Sequence, residues 1–167
     1  MRYLLGADLG TTAIKVGLYD ESGIKIATAS EDYDLLTPSP EAVEYPAEAY
    51  WHVFKRVLKK VLDKANVDKR LIASFSISAQ GETLVFLDEN GKPLHNFLVW
   101  LDNRAQDEST DLGTLFPQNE LHRATGQSEL LAIYPCSKIL WFKRHHPELF
   151  KRTSKILLIE DYFFYRL

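Results

Sequence analysis

The chain has 167 residues, with Lys+Arg 20 against Asp+Glu 23, a formal net charge of -3 and 46% hydrophobic residues. So high an apolar content with so small a charge excludes a disordered chain, and no apolar run is long enough to span a bilayer. The near-neutral balance supplies no basic footprint for nucleic acid or an anionic membrane, and a single cysteine, Cys136, cannot form an internal disulfide, which favours the cytoplasm.

Residues 3–7 are mostly apolar, the turn Asp8-Leu9-Gly10-Thr11-Thr12 follows, and a second apolar run covers residues 14–19. After Asp20-Glu21-Ser22-Gly23, residues 24–29 alternate in polarity, so the opening reads as three strands in a meander. Residues 37–46 hold three prolines and no regular period, which predicts a loop. From residue 47 to 65, Tyr50, Phe54, Val57, Leu58, Val61 and Leu62 recur at three- and four-residue steps, with Lys55, Arg56, Lys59, Lys60 and Lys64 opposite: an amphipathic helix with a solvated basic face.

Residues 71–79 and 84–87 read as strands, and Asn90-Gly91 marks a hairpin that returns along residues 97–101. Helices are expected over residues 104–116 and 137–146, the second ended by Pro147. Residues 155–160 form a last strand before the short aromatic helix around Tyr162-Phe163-Phe164-Tyr165. With no internal repeat and no second domain evident, the class is α/β, one domain over residues 1–167 with a mixed sheet and flanking helices.

The first turn has the composition of a phosphate site. Gly10 lets backbone approach an anion, Thr11 and Thr12 offer N–H and hydroxyl donors, and Asp8 could hold a hydrated Mg²⁺ while Lys15 reaches a transferred phosphoryl group. The spacing is not that of a P-loop. Further on, Gln80, Glu82, Asp102 and Arg104 follow strands, where loops build sites, and with the aromatic face of Trp100 they suit a polyhydroxylated ligand. The same residues allow a plainer reading, in which Glu82 is solvated and Asp102 caps a helix. The histidines show no metal-binding spacing, and Cys136 reads as a small buried apolar residue.

Five ordered segments accompany the hairpin: Ser78-Ala79-Gln80-Gly81-Glu82-Thr83, Asn90-Gly91-Lys92-Pro93-Leu94, Val99-Trp100-Leu101-Asp102-Asn103-Arg104, Ser137-Lys138-Ile139-Leu140-Trp141 and Leu157-Leu158-Ile159-Glu160-Asp161-Tyr162. Together they resemble the FGGY carbohydrate kinases, a branch of the actin-like ATPases with a ribonuclease H-like fold. The resemblance implies ATP and Mg²⁺ as cofactors, bound by Asp8, Gly10, Thr11, Thr12 and Lys15. It implies a sugar or polyol substrate, a pentulose favoured, touched by Gln80, Gly81, Glu82, Trp100, Asp102 and Arg104, with Tyr134 where a substrate-binding tyrosine falls in some members.

Two departures stand out. Gly81 replaces the larger residue that follows the glutamine in relatives, leaving room for a larger sugar, and Glu41-Ala42-Val43-Glu44-Tyr45-Pro46 lacks a tryptophan common in the family. The family's catalytic base is an Asp beyond the matched region, and its second phosphate hairpin and adenosine pocket belong to another lobe. The chain is therefore expected to be an incomplete amino-terminal lobe, inactive alone, whose partner is the carboxy-terminal lobe, with a homodimer left open. Two other readings remain: a non-catalytic sugar-binding or interaction module of the same lineage, and an actin- or chaperone-type ATPase lobe.

Overall fold

The computed structural model describes residues 2–167, apart from the side chain of Gln118. In chain order the elements are β1 (Tyr3–Leu9), β2 (Ala13–Asp20), β3 (Lys25–Asp32), β4 (Leu36–Ser39), β5 (Ala42–Tyr45), α1 (Ala47–Ala65), β6 (Ile72–Ala79), β7 (Leu84–Leu87), β8 (Phe97–Leu98), α2 (Gln106–Leu115), α3 (Gln118–Thr125), α4 (Pro135–His145), α5 (Pro147–Arg152), β9 (Lys155–Leu158) and α6 (Ile159–Arg166). They fall into two compact units, the first made of Met1–Leu35, Ala47–Gln80 and Ile159–Leu167, the second of Leu36–Pro46 and Gly81–Leu158.

The first unit holds a four-stranded sheet in the order β3-β2-β1-β6, in which β1 pairs antiparallel with β2 and parallel with β6. The two-residue period of the strands collects Leu5, Ala7, Leu9, Ile14, Val16 and Leu18 into buried positions. Helix α1 packs on β2 and β3, burying Val53, Phe54, Val57 and Val61. Phe163 of α6 stands edge-on to Tyr50 and Phe54 of α1, with ring centroids 5.6 and 5.1 Å away. Each such pair adds about 0.5–1.5 kcal/mol beyond the area it buries. On the basic face of α1, Arg56 and Lys60 both pair with Glu31 of β3.

The second unit holds a five-stranded antiparallel sheet in the order β4-β5-β8-β7-β9. Its core gathers Leu84, Phe86, Leu98 and Phe142, with the Phe86 and Phe142 rings stacked at 3.8 Å. The turn after β7 is shaped by Asp88, whose Oδ1 accepts the N–H groups of Asn90 and Lys92 at 2.9 Å each, and by Gly91 at φ 76°. That positive φ is why the turn carries a glycine there.

The structure departs from the sequence-based expectation in several places. The mixed sheet is the four-stranded one, and a separate antiparallel sheet occupies the second unit. Residues 37–46 are not a loop but contain β4 and β5, and Pro38 is accommodated because β4 lies at a sheet edge, where a missing N–H breaks no ladder. The returning strand stops at Leu98 because the Asp102 N–H turns back to the Val99 carbonyl at 2.8 Å. Helix α3 was not anticipated: it is short and polar on average, and its end is set by Gly126 at φ 78°. Pro147 ends α4 and also opens α5, since a proline at the first helical position removes a donor that would have no partner anyway. Cys136 is exposed rather than buried.

Candidate functional site

The β1–β2 hairpin is tightly constrained in the first unit. The Gly10 N–H donates to the Ala13 carbonyl at 3.1 Å, and a Cβ on Gly10 would fall 2.8 Å from that oxygen, so only glycine fits. The Gly10 carbonyl in turn accepts from the hydroxyls of Tyr33 and Tyr50 and from Gln80 Nε2, the latter two at 3.0 and 3.3 Å. Backbone bonds from Tyr33 to Thr12 O and from Gln80 to Leu9 O, at 3.1 and 3.0 Å, hold the same turn from both flanks. Burial, reinforced by Tyr33, pushes the Tyr50 hydroxyl far above the usual phenol range, so it stays a neutral donor. Gln80, expected at the sugar, thus bonds to the Gly10 turn.

Strand register aligns Ser30, Lys15, Asp8 and Ser78 in one row across all four strands, and Thr28, Gly17, Gly6 and Ser76 in the next. These side chains share the face opposite the buried apolar one and line a concavity of about 960 Å³ to which Lys60 and Lys64 of α1 also contribute. Asp8, Thr12 and Lys15 are exposed and Thr11 is half-buried. The exposed Asp8 carboxylate beside the backbone of Gly10 fits a Mg²⁺ that takes one or two protein carboxylates and leaves its other positions to phosphate oxygens and water. No cluster of three acidic, His or Cys ligands exists among the described residues.

In the second unit the turn carrying Gly81 and Glu82 leads into a fully buried Thr83, whose Oγ1 accepts the Trp100 N–H at 3.0 Å. Glu82 adopts φ 63°, a conformation that a side chain with a Cβ occupies at a cost of roughly 1–3 kcal/mol. Trp100 is 37% exposed, and the Tyr134 hydroxyl donates to Gln127 Oε1 at 2.7 Å.

Asp102 is 0% exposed. Its oxygens accept from Val43 N at 2.6 Å and from Arg104 Nε at 2.9 Å and Nη2 at 2.6 Å. The capping role considered for it does not occur, because α2 starts later, at Gln106, and has no side-chain cap. Arg104 Nη2 also pairs with Glu44 Oε1 at 2.7 Å, and its guanidinium lies 4.7 Å from the centre of the Trp141 ring. Burial works against the Glu44 charge, but hydrogen bonds from Asn96 and Arg104 outweigh it and hold the carboxyl below its usual range.

Tyr33 and Asn96 escaped the sequence reading because a lone hydroxyl or amide has no periodic signature, while Tyr50 reads only as part of a helix face and Thr83 only within a motif. Glu44 left a trace, since it lies in the segment that departs from the family pattern. Lys138 stood in a quoted motif, but its burial could not be read there.

A mixed sheet whose first hairpin carries a braced glycine turn defines the amino-terminal portion of an actin-like ATPase lobe. The chain belongs to the FGGY family of carbohydrate kinases, whose N-terminal domain it matches over residues 3–167. It is 34% identical to the xylulose kinase of Lactococcus lactis over 166 residues, covering 97% of this chain and 32% of that protein. It is 30% identical to the gluconokinase of Bacillus licheniformis over 166 residues, covering 99% and 32%. Among solved structures, the ligand-bound xylulose kinase of Lactobacillus acidophilus superimposes with a TM-score of 0.89 at 28% identity, covering 100% of this chain and 33% of that one. The chain spans about a third of the length of the relatives it matches.

Proposed function

We infer that this chain supplies the sugar pocket and the first phosphate hairpin of an ATP-dependent kinase acting on a hydroxyl of a small sugar or polyol, with a pentulose such as xylulose or ribulose favoured. The braced Gly10 carbonyl supports this most directly: three side-chain donors fix a turn that has no room for a Cβ. Such fixed backbone is what stabilisation of a phosphoryl group requires, because preorganised donors need not reorient as charge develops. Asp8 would hold Mg²⁺, Thr11, Thr12 and the Gly10 turn the phosphates, and Lys15 the transferred group. Bound Mg²⁺-ATP would supply the phosphoryl group and offset its charge.

On the sugar side, Glu82 accepts hydroxyl protons, Trp100 covers a C–H face, and Gly81 leaves space. Asp102 acts through Arg104, which it orients. Relatives named for xylulose and for gluconate are similarly close, at 34% and 30% identity, so the pentulose preference rests on Gly81 and Glu82. The lone Cys136 fits a cytoplasmic setting. Turnover requires a catalytic base and a second phosphate hairpin that these residues do not provide, so the chain is inactive alone.

Calorimetric titration with xylulose, ribulose, arabitol and glycerol tests the reading. Saturable binding of a pentulose, lost in Glu82→Ala, is expected, together with no sugar phosphorylation by the 167-residue chain. Binding of none of the four overturns the sugar assignment, and turnover overturns the inactivity.

A further inference from the structure

Lys138 is the one lysine among the buried residues of the chain as described, with 0% exposure. It lies in the first turns of α4, and its Nζ donates to the Val99 carbonyl at 2.7 Å. A lysine in such a place is costly, because its ammonium leaves water for a single hydrogen bond. Structural need alone does not call for it, since a methionine of similar length would fill the slot without a charge.

The carbonyl it holds is a junction. Val99 O also accepts the Asp102 N–H at 2.8 Å, closing the Trp100-Leu101 turn, and Thr83 Oγ1 accepts the Trp100 N–H. Trp100 is therefore fixed from both sides: by Lys138 through the preceding carbonyl and by Thr83 through its own amide. The charges that act on Lys138 are those of Asp102, Glu82 and Arg104, all assigned to the sugar side above. Burial, only partly offset by the two carboxylates, pushes its ammonium down to about 8.

We propose that Lys138 is a positioning residue for the sugar site: its hydrogen bond to Val99 fixes the turn that presents Trp100. This rests on the sugar-kinase reading of the second unit. Lys138 touches no reacting atom. It acts through the angle at which Trp100 meets the ligand, and a displacement of that ring of even 1 Å is enough to weaken productive binding.

The test reads Trp100 directly, using acrylamide quenching of the full chain with Trp100→Phe as the reference that isolates its signal from Trp51 and Trp141. In Lys138→Met, Trp100 quenching is expected to rise and pentulose affinity to fall roughly ten-fold, about the loss of one charge-assisted hydrogen bond. The far-ultraviolet spectrum stays native. Lys138→Arg keeps the charge but displaces the donor, and the same rise in quenching is expected if the methionine variant does not fold. Unchanged Trp100 quenching in either folded variant overturns the role of Lys138, whether or not sugar binds. Failure of the wild-type chain to bind any sugar counts against the proposed function alone, since the quenching comparison needs no ligand.

Discussion

Asp102 Oδ2 accepts the backbone N–H of Val43 at 2.6 Å, joining residues 59 positions apart in the chain. The same carboxylate grips Arg104, so one buried acid ties β5 to the turn that carries Trp100. Asp102→Ala is expected to destabilise the second unit by about 1–3 kcal/mol, because the Val43 N–H loses its acceptor and Arg104 keeps only Glu44. Urea unfolding followed by circular dichroism checks this, and a loss under 1 kcal/mol would show that Asp102 is not a structural clamp.

Glu82 should behave in the opposite way. Its φ of 63° suits glycine, so Glu82→Gly is expected to raise stability by roughly 0.5–1 kcal/mol while removing pentulose binding. A thermal melt and a sugar titration on the same sample separate the two effects. Retained sugar affinity would mean that the strain serves no ligand.

Gly10→Ala brings a Cβ to 2.8 Å from the Ala13 carbonyl. The turn must open, at a loss of about 1–3 kcal/mol. Tyr50→Phe, which removes one of the donors to Gly10 O, is expected to cost about 1 kcal/mol. Melting temperature and urea unfolding read both.

The pH dependence of stability carries the signature of Lys138. Burial lowers its folded value to about 8 from 10.5, so between those limits the unfolded chain holds a proton that the folded chain has released. Raising the pH through that window therefore favours folding, and below it the full penalty of the buried charge remains. Urea midpoints should climb from pH 8 toward about 9.5, and Lys138→Met should flatten that rise. A wild-type midpoint that is level or falls would contradict a buried ammonium.

At the acid end Glu44 supplies the opposite sign. Its folded value is depressed, so the stability it contributes is complete above the ordinary carboxyl value of 4.5 and is lost as the pH falls through the lower folded one. Glu44→Gln should make the second unit less sensitive to acid in that range, as read by circular dichroism.

Helix α1 was legible from its sequence, with the same bounds of residues 47 and 65, because a helix that buries one face writes a 3.6-residue period into its own residues. The hairpin turn was legible for a similar reason: Gly10 and its neighbouring threonines act locally. Strands β4 and β5 were not, since they are four residues each and exist through pairing with each other and with β8, far along the chain.

The residues of the site followed the same division. Sequence alone determined the residue types, the family and the order of the motifs, because each motif is a local string with its own chemistry. Tertiary structure decided what each residue touches. It turned Gln80 toward Gly10, withdrew Asp102 behind Arg104, and placed Lys138 under Val99. Those contacts depend on burial and on partners far along the chain, which no local pattern encodes.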